Sequence, residues 1–277
     1  MKGVRKVKNH KIEGGGGIQL NVEEAGNPKG KPVLFIHGFS QSRLCWNKQI
    51  KSDLANDFRL VTLDIRGHGL SEKPQDAYGD TQLWADDIQA VIAMLELDHP
   101  VLSGWSYGGE IICDYLRHYG EENISGLNFV GAISKLGEPV FPFLGQEFLA
   151  LADGFFSNVV EESVVALEKF MRLCVHDDPT PEDFYFFLGY NTIVPPYVRV
   201  GLFSRAIEND DILSQITKPT LITHGNEDEI VLLKMAKYHA SKISQAQVSY
   251  YPGTGHAPFW EKPGRFNTEM RSFVNSL

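Results

Sequence analysis

The feature of this sequence that most restricts its fold is an alternation of short apolar runs with amphipathic helical patterns. Val33–Ile36 is continuously apolar, as strands buried on both faces are, and Leu60–Leu63 is a second strand of this kind. Apolar residues at helical spacing follow over Thr81–Leu97 and Tyr107–Tyr119. Further strands are predicted at Pro100–Ser103, Leu127–Ile133, Thr220–Thr223 and Val248–Tyr251, and further helices at Val231–Ile243 and from Pro263. We therefore predict an α/β fold with a mostly parallel, doubly wound sheet.

A glycine run near the start of the chain predicts a β-hairpin ahead of this alternation. Strand-like residues, among them Val4, Val7 and Ile12, precede Gly14–Gly17, and Ile18–Val22 follows it. A flexible linker is the alternative interpretation of the glycines. Strand-like residues on both sides favour the turn.

The alternation stops between about Leu136 and Ile216, where we find helical patterns only. We predict residues 1–135 and 217–277 as the two parts of an α/β core, and residues 136–216 as a helical cap inserted between them. The insertion is rich in Phe, Tyr and Pro. Its aromatic side chains are suited to line a pocket between the insertion and the sheet, or else to form the insertion's own core.

Charge and cysteine content narrow the classes of function. The 26 Lys and Arg against 35 Asp and Glu give a net charge of −9 without a basic stripe, which argues against nucleic-acid binding. Three cysteines without C-x-x-C spacing are typical of a reducing compartment. No signal-peptide pattern and no apolar run of membrane-spanning length occurs. We expect a cytoplasmic protein without membrane contact, and a homo-oligomer stays open.

The strongest local motif is G-x-S-x-G at Gly104–Gly108, between a predicted strand and a predicted helix. Such a turn holds its serine in a strained conformation at the edge of the sheet, and the glycines allow the chain to reverse sharply. The helix N-terminus beside Ser106 favours negative charge that develops there. The motif therefore predicts Ser106 as a nucleophile.

A serine nucleophile needs a base and a third group that orients the base. His256 lies in the loop after the last predicted strand, where an α/β sheet places ligand-handling residues, although a surface histidine fits that position equally well. Asp228 follows the strand Thr220–Thr223, with Glu227 and Glu229 as neighbouring alternatives. The chain order serine, aspartate, histidine favours Asp228 as the orienting acid.

An oxyanion site needs two N–H donors. We predict the N–H of Tyr107, directly after the serine, and the N–H of Phe39, in the loop after Val33–Ile36. His37 is interpreted as a support for this loop. The segment that begins at Asp64 predicts a hydrogen-bonded turn, and no metal site is predicted because the chain lacks zinc-ligand spacing.

These motifs together resemble the α/β-hydrolase superfamily over nearly the whole chain. They are H-G at His37, D-x-R-G-x-G-x-S at Asp64, G-x-S-x-G around Ser106, H-G-x-x-D ending at Asp228 and G-x-G-H ending at His256. Within the superfamily, the segments Gly38-Phe-Ser…Trp46, Ser106–Glu110 and Tyr119…Ala132 resemble the cofactor-free haloperoxidase and arylesterase branch. The Phe-rich insertion departs from that branch, which leaves the substrate open.

The resemblance implies a serine hydrolase of small or medium carboxylic esters that needs no cofactor, with perhydrolase activity as a side reaction. Serine at position 106 argues against the branches that use an aspartate nucleophile, the haloalkane dehalogenases and epoxide hydrolases. A carbon–carbon hydrolase of diketone-like substrates and a small-molecule receptor are the alternatives. The predicted walls of the substrate pocket are Phe39, Trp46, Trp105, Tyr107, Phe141, Phe143 and Phe259.

Overall fold

The computed structural model describes residues 7–277, and eight strands of this part form one sheet in the order β1-β2-β4-β3-β5-β6-β9-β10. The strands are β1 Lys8–Glu13, β2 Gln19–Gly26, β3 Pro32–Ile36, β4 Arg59–Asp64, β5 Val101–Trp105, β6 Gly126–Val130, β7 Lys135–Leu136, β8 Ile207–Glu208, β9 Thr220–Gly225 and β10 Gln247–Tyr251. Strand β2 pairs antiparallel with β1 and β4, and all other pairs in this sheet are parallel. The predicted α/β class with a mostly parallel sheet is confirmed.

Helices connect the strands. They are α1 Asn47–Ile50, α2 Leu54–Asp57, α3 Thr81–Met94, α4 Tyr107–Tyr119, α5 Gln146–Leu149, α6 Ala152–Phe156, α7 Val160–Leu173, α8 Pro181–Thr192, α9 Pro196–Phe203, α10 Asp210–Gln215, α11 Leu233–Lys242, α12 Pro258–Glu261 and α13 Pro263–Asn275. Helix α3 ends three residues before the predicted end because Glu96 adopts a positive φ of 49°. No helix in residues 7–277 is long and apolar enough to cross a bilayer.

The glycine run forms a turn, as predicted, and not a linker. Strands β1 and β2 pair on either side of it, and the Gly14 N–H donates to the Ile18 carbonyl at 2.8 Å. Gly16 and Gly17 have φ of 70° and 77°, which glycine adopts without strain. Val4, which the prediction included in the first strand, lies outside the described residues.

The prediction of helices alone between residues 136 and 216 is wrong at both ends. Lys135–Leu136 pairs antiparallel with Ile207–Glu208, so a two-stranded ribbon closes the base of the insertion. Buried Lys135 donates to Asp210 at 2.7 Å across this base. Strands of two residues are too short to display an alternating pattern, which is why the sequence does not reveal them.

Strand β6 ends at Val130, three residues before the predicted end at Ile133. Gly131 has a φ of 48°, and its N–H donates to the Thr223 carbonyl at 2.8 Å. The chain therefore turns at Gly131, and the segment up to Ile133 lies at the carboxyl edge of the sheet instead of within it.

A buried ion pair links the hairpin turn to α3. Arg66 donates from Nε and Nη2 to the two carboxylate oxygens of Asp87 at 2.8 Å each, and both side chains are at most 3% exposed. The same carboxylate accepts the Gly15 N–H at 2.9 Å. This contact fixes three chain segments that are distant in sequence.

Asp87→Ala is therefore expected to lower the free energy of unfolding by about 3–5 kcal/mol, because it leaves the Arg66 guanidinium buried without a counter-charge. Denaturant unfolding followed by circular dichroism measures the change. Asp98→Ala is the matched control, since the Asp98 side chain is 93% exposed. Equal midpoints for the two variants would contradict a stabilising role for the pair.

Candidate active site

Ser106 lies between the last residue of β5, Trp105, and the first residue of α4, Tyr107. It has φ 55° and ψ −117°, a strained conformation for a residue with a side chain. A Cβ atom on Gly104 would lie 2.4 Å from the Gly108 carbonyl oxygen, so the strand and the helix approach too closely for any other residue. The sharp turn expected from the motif is present, and Ser106 lies at the carboxyl edge of the sheet.

Asp228 and His256 follow β9 and β10, and the structure brings their side chains together. His256 Nδ1 donates to Asp228 Oδ2 at 2.7 Å. The other oxygen, Asp228 Oδ1, accepts the N–H groups of Ile230 and Val231 at 2.9 Å each. The tautomer with its proton on Nδ1 has a free lone pair on Nε2, and a histidine general base requires this tautomer.

The charge of Asp228 is stabilised within the fold. Burial raises the pKa of Asp228, but the neighbouring His256 and His224 outweigh burial and hold this pKa below its usual value. His224 Nε2 donates to the Val231 carbonyl at 2.7 Å and lies 3.3 Å from Asp228 Oδ2. Asp228 is therefore a carboxylate at neutral pH.

The two alternative acids do not contact His256. Glu227 is exposed, and its carboxylate accepts the Thr254 N–H at 3.0 Å. Glu229 is exposed as well. Among the three neighbouring acids, only Asp228 has the position of an orienting group.

Ser106 and His256 belong to adjacent segments. The indole of Trp105 donates to the His256 carbonyl at 2.8 Å. The Ser106 N–H donates to the Val130 carbonyl at 3.0 Å. A Cβ atom on Gly131, which follows Val130, would lie 3.1 Å from His256 Nδ1. Within residues 7–277 no hydrogen bond joins the Ser106 hydroxyl to His256. Such bonds are often long without substrate and shorten in its complex.

The backbone N–H groups of Phe39 and Tyr107 are the two predicted oxyanion donors. Neither group donates a hydrogen bond to any of the residues that the structure describes. A Cβ on Gly38 would lie 2.8 Å from the Ser106 Cβ, so the loop that carries Phe39 passes directly over the serine. Both donors therefore flank Ser106, as an oxyanion site requires.

Two buried histidines support this loop. His37 Nδ1 donates to the Gly38 carbonyl at 2.9 Å, and its Nε2 accepts the Ile65 N–H at 3.1 Å. His68 Nε2 accepts the Ser40 N–H at 3.1 Å. Burial lowers the pKa of His37 to about 4 despite the nearby Asp64, so this ring is neutral at physiological pH. His37 has the supporting role that the sequence predicts.

The Asp64 turn is held by hydrogen bonds to its carboxylate. Oδ1 accepts from the Ser42 hydroxyl and the Arg43 N–H, and Oδ2 accepts from the Asn21 amide and the Leu70 N–H. All four distances lie between 2.9 and 3.0 Å. Residues 7–277 contain no group of three or more His, Cys, Asp or Glu side chains that could hold a metal ion.

A cavity of about 20 Å³ lies beside Ser106. Its walls come from the loop that carries Phe39, the carboxyl edge of the sheet and the helical insertion: Phe39, Ser106, Tyr107, Ile133, Val140, Leu144, Phe148, Phe203, Ile230 and Val231. Apart from the serine, all of these side chains are apolar or aromatic. A cavity of this size holds about one water molecule.

Of the seven predicted pocket walls, Phe39 and Tyr107 line this cavity and the other five do not. Phe141 is 51% exposed at the surface, and Phe143 packs its ring against Tyr238 at 5.3 Å. Trp46 is fully buried in the core, where its ring lies 4.2 Å from that of Phe259. Trp105 and Phe259 line a separate cavity of about 10 Å³. These five residues therefore lie outside the cavity beside Ser106, since Phe141 is at the surface and the other four rings pack elsewhere.

Sequence reasoning missed the cavity walls other than Phe39, Ser106 and Tyr107, although some of the missed residues have a recognisable position. Ile230 and Val231 come just after Asp228, and Ile133 follows β6, so all three lie at the carboxyl ends of strands. That position is a usable signal. Phe148 and Phe203 belong to the insertion, and the sequence gives no comparable signal for them.

The Phe39 side chain packs against aromatic rings of the helical insertion. Its ring centroid lies 5.4 Å from that of Phe155, 5.9 Å from that of Phe170 and 5.0 Å from that of Phe203. All three contacts are edge-on, an arrangement that aromatic rings favour. The position of the Phe39 N–H therefore depends on three helices of the insertion.

Comparison with known proteins agrees with this architecture. The chain is 35% identical to the esterase RhEst1 of Rhodococcus sp. ECU1013, with a TM-score of 0.93 over 97% of this chain and 99% of the other. It is 32% identical to a putative aryl esterase of Burkholderia cenocepacia, with a TM-score of 0.88 and coverage of 97% and 98%. It is also 28% identical to a putative non-heme chloroperoxidase of Synechocystis sp., over 93% of this chain and 95% of the other. Residues 31–263 match the family described as alpha/beta hydrolase fold, and the chain therefore belongs to that family.

Proposed function

We propose that this hydrolase cleaves carboxylic esters through an acyl-enzyme, with Ser106 as nucleophile, His256 as base and Asp228 as the group that orients the base. The contact of His256 Nδ1 with Asp228 Oδ2, beside the strained turn at Ser106, is the observation that carries the proposal. It leaves His256 Nε2 as the acceptor for the serine proton. Esterases among the similar structures support the same activity.

The first half of the reaction forms the acyl-enzyme. His256 Nε2 removes the proton of Ser106 Oγ as this oxygen attacks the ester carbonyl carbon. The carbonyl oxygen becomes an oxyanion and accepts the N–H groups of Phe39 and Tyr107, which have no acceptor among the described residues. The intermediate then expels the alcohol oxygen, which takes the proton from His256.

The second half releases the acid. His256 removes a proton from water, whose oxygen attacks the acyl carbon and forms a second oxyanion at the same donors. Collapse of this intermediate returns the proton to Ser106 Oγ and frees the carboxylic acid. No cofactor takes part in either half.

The size of the cavity beside Ser106 favours a short acyl group. Its volume is about 20 Å³, and its walls are apolar. Phe148 and Phe203 come from residues 136–216, which we propose to act as the cap that sets acyl-chain length. An acetyl group requires less displacement of these rings than a longer acyl chain does.

Labelling and chain-length measurements test this proposal. A fluorophosphonate probe is expected to modify Ser106, located by peptide mass spectrometry, and kcat/KM for p-nitrophenyl esters is expected to fall from acetate to octanoate. Phe203→Ala is expected to shift the preference towards longer chains, whereas Phe141→Ala at the exposed surface leaves it unchanged. An unlabelled Ser106, or faster turnover of a vinylogous diketone than of every ester, would contradict ester hydrolysis.

We propose halide oxidation by way of a peracid as a second activity, since one relative is a putative non-heme chloroperoxidase. Ser106 Oγ attacks the carboxylic acid, and water leaves as the acyl-enzyme forms. Hydrogen peroxide then attacks the acyl carbon in place of water, and Ser106 Oγ leaves and regains its proton. The peracid that is released oxidises halide to hypohalous acid in solution and is itself reduced to the carboxylate. Halide oxidation is therefore expected only when a carboxylate buffer and peroxide are both present. Oxidation without the carboxylate would argue against this route.

A further inference from the structure

A second cavity lies among the helices of residues 136–216, opens to solvent beside the exposed Val160 and Ile193, and is larger than the cavity beside Ser106. It has a volume of about 320 Å³, at the lower end of the range for small-molecule sites, roughly 300–1,000 Å³. We call it the Arg199 cavity. Its aliphatic walls include Val160, Val164, Leu167, Ile193 and Val194, and its polar walls include Ser163 and Arg199.

Arg199 is buried and hydrogen-bonded only to uncharged groups. Its Nε donates to the Ser40 hydroxyl at 3.2 Å, and its Nη1 donates to the Phe155 carbonyl and to the Ser163 hydroxyl. Its Nη2 donates to the Asn191 carbonyl at 3.1 Å. A guanidinium has five N–H donors, so one N–H on Nη2 has no acceptor among these bonds.

The other buried arginines of residues 7–277 each have a buried carboxylate as partner. Arg66 binds Asp87 at 2.8 Å, and Arg205 binds Asp114 at 2.6 Å. Arg199 is 1% exposed and forms no ion pair within the described chain. Burial lowers the pKa of Arg199 to about 10, so it stays protonated at neutral pH. Buried charges are usually paired, and Arg199 therefore lacks an anion.

We propose that the Arg199 cavity binds an aliphatic monocarboxylate, whose charged group pairs with Arg199 and whose chain packs on the valine, leucine and isoleucine walls. The Ser163 hydroxyl lines the cavity and is already bonded to Arg199, so both groups lie together at one wall. No aromatic residue lines this cavity, which favours an alkyl chain over a ring. The site is distinct from the cavity beside Ser106 and does not depend on ester hydrolysis.

Calorimetric titration with octanoate tests the proposal. The wild-type protein is expected to bind octanoate with saturation, and uncharged octanamide at least about tenfold more weakly, because hydrogen bonds to an ionised partner are the stronger ones. Arg199→Gln is expected to weaken octanoate binding by a similar factor. No saturable binding of octanoate, or equal binding of octanamide, would overturn the proposal.

A matched pair of variants locates the site without changing Arg199. Val164→Phe places a larger side chain in the cavity, whereas Val165→Phe makes the same change at the next position of α7, which is exposed and does not line the cavity. We expect Val164→Phe to abolish octanoate binding and Val165→Phe to retain it. Equal binding by both variants would place octanoate elsewhere, for example beside Ser106, and refute the Arg199 cavity as its site. This pair keeps the test decisive if Arg199→Gln fails to fold.

Discussion

Ser106→Ala is expected to reduce kcat for p-nitrophenyl acetate by about 10⁶-fold, the scale of loss on removing the nucleophile of a serine triad. Without Oγ no acyl-enzyme forms, and His256 has no hydroxyl to deprotonate. The free N–H groups of Phe39 and Tyr107 remain, so the variant still binds substrate and retains a small residual rate above water. Steady-state kinetics at saturating substrate measure the effect.

Ser103→Ala is the matched control for this prediction. It makes the same substitution on β5, three residues before Ser106, at a buried hydroxyl that accepts a hydrogen bond from Asn128 at 3.3 Å. We expect Ser103→Ala to retain turnover and fluorophosphonate labelling. Full turnover by Ser106→Ala would exclude the serine mechanism. If Ser106→Ala loses activity but keeps the wild-type unfolding midpoint, the loss comes from the missing hydroxyl and not from unfolding.

Asp228→Asn is expected to lower kcat by about 10⁴-fold while the fold is preserved. The new amide has the shape of the carboxylate, and its oxygen can still accept the N–H groups of Ile230 and Val231. Its NH₂ group faces His256 Nδ1 and donates to it. The imidazole proton then moves to Nε2, which can no longer accept the proton of Ser106.

The alternative acids provide the controls for Asp228. Glu227→Gln and Glu229→Gln change neighbouring exposed carboxylates and are expected to retain wild-type kcat. The rate of fluorophosphonate labelling at Ser106 is a second measure, since it reports activation of the nucleophile without deacylation. A large loss in Glu227→Gln together with a small loss in Asp228→Asn would reassign the orienting acid.

The sheet and the turn at Ser106 could be predicted because their signals are local. Val33–Ile36 is apolar at every position, which only a strand buried on both faces requires. The spacing of Gly104, Ser106 and Gly108 records a steric condition between three residues close in sequence. The proximity of Asp228 and His256 could be predicted because parallel strands place their carboxyl ends at one edge of the sheet.

Most walls of the cavity beside Ser106 could not be predicted, because they depend on packing between distant segments. Phe141 and Phe148 belong to the same Phe-rich stretch, yet the first is half exposed and the second is buried against the cavity. Helical periodicity tells which side of a helix is apolar, but not which neighbour that side meets. Trp46 shows the same limit, since its ring enters the core below the site.

The three edge-on contacts of the Phe39 ring have a consequence for how enzymes of this family diversify. In the proposed mechanism the Phe39 N–H binds the oxyanion, and the Phe39 ring packs against the segment that we propose as the selector of the substrate. When that segment is exchanged between relatives, in a laboratory chimaera or in natural recombination, we therefore expect the position of the Phe39 N–H to change together with the substrate preference. Recombinants that keep aromatic rings packed against Phe39 should retain kcat while their substrate preference changes. Recombinants that lose these rings should have a low kcat on every substrate.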